Sequence, residues 1–124
     1  MPFAVNFDAD FAAELRDLSE SVQDAVRTYA LVLADRGFRL GRPWVDTLSG
    51  STFAKMKELR PTVNKVEWRV AFAFDSKGEA ILLAIAQKGG KKDALVYRRL
   101  IDTADARLRA HEARIAPPKK RKGK

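Results

Sequence analysis

Three features of the 124-residue chain predict an α+β fold in which helices pack on one face of a mainly antiparallel sheet. Residues 66–74 alternate Val66, Trp68, Val70, Phe72 and Phe74 with Glu67, Arg69, Ala71 and Ala73, the period of a pleated strand. Residues 79–86 are almost wholly apolar, as a strand buried on both faces requires. Apolar residues before residue 36 and after residue 93 recur instead at helical spacing.

Taken in order, Phe3, Val5 and Phe7 alternate with Ala4 and Asn6 and predict a short first strand. Asp8 and Asp10 offer caps to a helix reaching about Leu18, with Phe11 and Leu15 on one side. Ser19 and Ser21 precede a second helix whose Val22, Val26, Tyr29 and Leu33 are spaced four, three and four, and Gly37 ends it. The two form a helical hairpin against the sheet. Gly41, Pro43, Ser49 and Gly50 mark an irregular connection carrying Trp44 and Leu48 over the core edge. A three-stranded antiparallel meander follows: a strand from Thr52 to Leu59, one from Val66 to about Asp75, and, after a turn at residues 76–78, the apolar strand. Residues 87–92 leave it as a basic loop. A last helix from Asp93 buries Val96, Tyr97, Leu100, Ile101, Ala104 and Leu108 and fades near Ile115, before Pro117 and Pro118.

One domain over residues 1–116, with a basic flexible tail at 117–124, fits this length. The net charge of +8 is unevenly placed: the first 24 residues sum to −5, while the last eight hold five cations. A basic tail alone is weak evidence for nucleic acid, so the placement of the other cations has to carry that argument. Without cysteine there is no disulfide framework and no thiolate metal site, and a cytoplasmic location is expected. Neither a membrane span nor a signal peptide is visible. No phosphate loop of Walker type occurs, and the single histidine, His111, reads as a partly exposed residue near the end of the last helix. No metal and no cofactor are expected.

What remains is a basic set with one phenol. On the Thr52–Leu59 strand, Lys55 and Lys57 would project from one side about 7 Å apart. In a meander they would neighbour Arg69, whose alternation turns it away from the aromatic face. Arg60, Lys88, Lys91 and Lys92 flank this set, and Tyr97 opens the last helix. The bland alternative is a solvated sheet face with a core tyrosine.

The string Lys55-Met-Lys57-Glu-Leu, the run Val66-Glu-Trp-Arg69-Val-Ala-Phe-Ala-Phe-Asp, the apolar strand, the lysine-rich loop and Tyr97 resemble the RelE/HigB superfamily of bacterial toxins, nearest its phage-derived HigB-like branch. The resemblance spans roughly residues 20–115. It implies a RelE-like fold and a toxin of a type II toxin-antitoxin system that cuts mRNA on the ribosome without metal. It also implies a cognate antitoxin partner, expected to be a helix-turn-helix protein. Carried over by position, Lys55, Lys57, Arg69, Lys91 and Tyr97 are the catalytic set; Arg60, Lys88 and Lys92 would contact RNA. Lys91 departs from the pattern, because an ammonium cannot grip a phosphate bidentately as a guanidinium does.

The chemistry such residues can do is simple to state. The RNA 2′-OH is the nucleophile; the enzyme aligns it, removes its proton, stabilises the phosphate charge and protonates the 5′-oxygen. Arg69 and Lys91 suit the phosphate charge, Lys57 or Tyr97 the proton transfer, and Lys55 the lowering of their pKa values, with the choice of base left open. A ParE-like gyrase inhibitor and a catalytically weak RNA-binding module are the alternative readings.

Overall fold

The computed structural model describes residues 3–89 and 93–117. The chain runs β1 (Val5–Phe7), α1 (Ala9–Arg16), α2 (Glu20–Arg36), β2 (Val45–Thr47), β3 (Lys57–Leu59), β4 (Thr62–Val63), β5 (Val66–Phe74), β6 (Ala80–Lys88) and α3 (Asp93–Ile115). The strands form one six-stranded sheet of order β1-β6-β5-β3-β2, with the two-residue β4 paired to β5. β1 runs parallel to β6 and every other pair is antiparallel.

The helix ends follow local chemistry. Asp8 accepts from the Phe11 N–H at 3.1 Å and Ser19 from the Val22 N–H at 3.3 Å, satisfying amides that a helix start leaves free. Gly37 closes α2 at φ +58°, where an added Cβ would sit 2.1 Å from the Phe3 ring. Both the backbone angle and the close approach require glycine there.

The sheet has a core on each side, which corrects the expectation of helices on one face. On one side Phe11, Leu15, Val22, Val26 and Leu33 of α1 and α2 meet Leu59, Val70, Phe72 and Leu82. On the other, Leu100, Ile101, Ala104 and Leu108 of α3 meet Met56, Ala71, Ala73, Ile81 and Leu83. The physical reason lies in β5. Its second face carries alanines, small enough to let a helix come close, and the apolar β6 fills the space between. A register shift between Ala71 and Phe72 leaves Leu83 as the extra residue on β6, so Leu83 and Ala84 both join the α3 core.

Two further expectations change. The connection around Trp44 contains a strand, β2, paired Val45 to Leu59 and Thr47 to Lys57. The strand expected from Thr52 begins only at Lys57, because Ser51 and Thr52 are tied to the buried Asp105 of α3. Its carboxylate accepts from both hydroxyls and from the Thr52 N–H at 3.0 Å, which folds residues 51–53 over α3 instead of along the sheet. The basic residues beyond Pro117 lie outside the described residues, as do Lys91 and Lys92.

Candidate functional site

Strand alternation turns Arg69 towards the α3 side, as its spacing predicts, but the side chain is buried, with the residue 2% exposed. Its Nη1 donates to the Trp68 carbonyl at 2.8 Å and its Nη2 to Glu67 at 2.7 Å. Its Nε lies 3.8 Å from Glu58, buried and without a hydrogen-bond partner among the described residues. Glu58 reaches this point because β3 sets it opposite Ala71, on the face Arg69 occupies. It is 5% exposed and shared: Arg60 donates to one oxygen, and the Tyr97 hydroxyl donates to the other at 3.2 Å. Lys88, opposite Glu67 across β5 and β6, lies 4.0 Å from the Glu67 carboxylate.

The electrostatics differ from a cluster of cations. Burial, and then the Glu58 carboxylate, push the Tyr97 hydroxyl above its ordinary pKa, against the opposing pull of Arg69. That reverses the expectation that clustered positive charge would lower it. The hydrogen bond from Arg69, helped by Lys88, holds the exposed Glu67 below the usual carboxylate value. Arg69, Arg60, Glu58 and Glu67 thus form a charge-compensated network. On one side of it a cavity of about 360 Å³ is lined by Thr47, Leu48, Glu58, Lys88, Tyr97 and Ile101 among others. On the other a cavity of about 340 Å³ is lined by Tyr29, Arg42, Pro43, Arg60, Glu67 and Arg69 among others.

The two strand lysines do not join this network. Lys55 sits in the turn before β3 and pairs with Glu112 at 3.1 Å. Glu112 is 15 residues along α3 from Tyr97, about 22 Å at the helical rise. Lys57 pairs with Phe72 and so shares the face of Leu59 and Phe72, opposite to Arg69. The expectation that both lysines project beside Arg69 is therefore corrected: β3 starts too late to place Lys55 on the pleat, and its register sends Lys57 to the other side. Lys91, the expected loop cation, and Lys92 lie outside the described residues. Tyr97, Arg69, Arg60 and Lys88 are brought together.

Glu58 and Glu67 are the residues the cation-centred reading missed. The signal for Glu58 was alternation: with Leu59 in the core, Lys57 had to share its face and Glu58 to take the other. His111 lies partly exposed near the end of α3, as expected, and pairs with Asp75 at 2.9 Å. Burial raises the Asp75 carboxyl, but the His111 contact and the N–H groups of Glu79 and Lys77 outweigh it and hold the group below its ordinary value. Among the described residues no three His, Cys, Asp or Glu side chains converge as a metal site, and no helix is long and apolar enough to cross a membrane.

A mixed sheet with α1 and α2 on one face and α3 on the other is a RelE-like fold. The structure of E. coli toxin RelE, as a double arginine-to-alanine mutant in the free state, superposes with a TM-score of 0.56 at 14% identity, covering 82% of this chain and 96% of that one. The chain belongs to the phage-derived Gp49-like protein family (DUF891), whose model matches residues 13–109. In Mycobacterium tuberculosis (strain ATCC 25618 / H37Rv), a candidate toxin HigB2 is 37% identical over 98% of this chain. A candidate toxin HigB3 from the same strain is 44% identical over 64% of it. The chain spans 63% and 65% of the lengths of these two relatives.

Proposed function

We propose that this protein is the toxin of a type II toxin-antitoxin system, an endoribonuclease that cuts mRNA on the ribosome and is held in check by a cognate antitoxin. The observation that carries the reading is the network of buried Arg69 and Glu58 with half-buried Tyr97, flanked by two cavities. Family membership and the HigB-named relatives support the toxin role.

In the proposed reaction Glu58 accepts the proton of the RNA 2′-OH, a role for which Lys57 faces the wrong way and Tyr97 holds its proton too firmly. The 2′-oxygen bonds to the adjacent phosphorus and the bond from phosphorus to the 5′-oxygen breaks. Tyr97, still protonated, donates to the departing oxygen, and its proton is restored from Glu58 through solvent. Arg69 steadies the charge on the phosphate by exchanging the exposed Glu67 for a phosphate oxygen. Lys88 and the lysines of the loop after it hold the flanking RNA backbone. The products are a 2′,3′-cyclic phosphate and a 5′-OH.

Purified protein is to be mixed with programmed ribosomes and end-labelled mRNA, and the new ends identified. Cleavage leaving 5′-OH ends, reduced about 100-fold or more in Arg69→Ala and Glu58→Gln, is the expected result. A 5′-phosphate product would refute the chemistry. Growth arrest accompanied by double-strand DNA breaks and intact mRNA would move the assignment to a gyrase-directed toxin.

A further inference from the structure

β5 pairs with β6 from Ala80 to Lys88. On the opposite side only Ala80, Ile81 and Leu82 meet a strand, β1. Where β1 gives way to α1, the Asp8 N–H donates to the Leu82 carbonyl and Arg107 to the Leu83 carbonyl, each at 2.9 Å. From Ala84 to Lys88 no strand lies on that outer side among the described residues. Such an edge presents backbone donors and acceptors in register for another strand.

The space beside this edge is shaped for one. A groove of about 370 Å³ has Ala84, Ile85 and Ala86 along its floor and Val96, Arg99 and Leu100 of α3 along its wall. The floor residues are small or apolar, which lets a second backbone approach closely. Arg107, held by Glu14 at 2.6 Å, closes one end. Arg99 is exposed and meets no carboxylate among the described residues, and Lys88 ends the strand. A second copy docked edge to edge would bring these cations against their counterparts, so charge disfavours self-pairing and favours an acidic strand.

We propose that the Ala84–Lys88 edge is a docking site for an extended segment of a partner protein, which adds a strand to the sheet. On its α3-facing side, which every second residue reaches, the segment sets an apolar side chain against Val96 and Leu100 and a carboxylate towards Arg99. The site is built from the sheet edge and α3 and does not depend on the nuclease reading. Arg99 lies outside the Arg69, Glu58 and Tyr97 network, so RNA cleavage by an Arg99→Glu variant tests that reading separately.

The test selects a random-peptide phage library on the whole immobilised protein and maps the enriched peptides by amide hydrogen exchange. Enriched sequences are expected to carry an apolar and an acidic side chain on the same face of the strand, at every second residue, and to slow exchange within 84–88. Methylating alternate peptide nitrogens on the pairing edge should abolish binding, and Arg99→Glu should weaken it about tenfold. Failure of selection, peptides that leave residues 84–88 unprotected, or peptides that bind equally well when methylated would each overturn the proposal. Concentration-dependent protection of 84–88 without peptide would overturn it in favour of a second copy of the chain.

Discussion

The Tyr97 hydroxyl and the Glu58 carboxylate meet at 3.2 Å from elements 39 residues apart, so the start of α3 is hydrogen-bonded to the middle of β3. Because burial and the Glu58 charge raise the Tyr97 pKa, the phenol stays protonated through neutral and mildly alkaline pH. A spectrophotometric titration of phenolate, compared with a Tyr97→Phe variant in which Tyr29 remains, should place Tyr97 above the ordinary value of about 10. In the same variant RNA cleavage should fall about 10- to 100-fold, while stability in a urea titration drops by only about 1 kcal/mol.

Removing the carboxylate beneath that phenol has a different cost. Glu58→Ala leaves Arg69 buried beside a lost counter-charge and frees Arg60, so urea denaturation should show a loss of about 3–5 kcal/mol. Glu58→Gln keeps an acceptor for Tyr97 and should lose less stability while losing cleavage as fully. Equal activity in wild type and Glu58→Gln would remove Glu58 from the reaction.

The Asp75 and His111 contact predicts an acid limit to stability. A carboxyl whose folded pKa is depressed contributes stability above its unfolded pKa, about 3.9, and loses it as pH falls through the lower folded value. Thermal melts between about pH 7 and about pH 3 should show the fall steepening below about pH 4. Asp75→Asn should be less stable at neutral pH by about 1–3 kcal/mol, from the Lys77 and Glu79 N–H groups and His111 it serves, and should show a shallower acid limb.

Asp105 gives a test of the loop that replaced an expected strand. Asp105→Ala strands the Ser51 and Thr52 hydroxyls and the Thr52 N–H, so about 1–3 kcal/mol should be lost in chemical denaturation. Protease cleavage should then concentrate at residues 50–55, whereas Asp105→Asn, which keeps one acceptor oxygen, should be cut there more slowly.

The alternation from Val66 to Phe74 sufficed to place Arg69 opposite the aromatic face, and the unbroken apolar run of β6 announced burial on both sides. Asp8, Ser19 and Gly37 announced helix ends through their own local chemistry. The environment of Arg69 was not legible, because it depends on the register of β3 against β5, and three strand residues do not specify a register alone. Lys55 and Lys57 looked like a pair only while Thr52 was taken as strand; Asp105, half a chain away, decides otherwise. β2 escaped for a similar reason, its three residues being held by pairing with Leu59 and Lys57 rather than by any pattern of their own. Ala71 and Ala73 read as gaps between large side chains, yet smallness on that face is what admits α3.

α3 is also fastened well away from the site. His111 binds Asp75, and Glu112 takes both Lys55 and the Ser76 N–H at 3.1 Å, so two adjacent residues clamp the helix to the turn between β5 and β6. Tyr97 lies 14 residues from His111, an arm of about 21 Å, so pivoting the helix at the clamp by about 3° moves the phenol about 1 Å, enough to disturb a reacting geometry. The turn between the two longest strands is thus a fulcrum, and a substitution there can mistune the phenol without touching any residue around it.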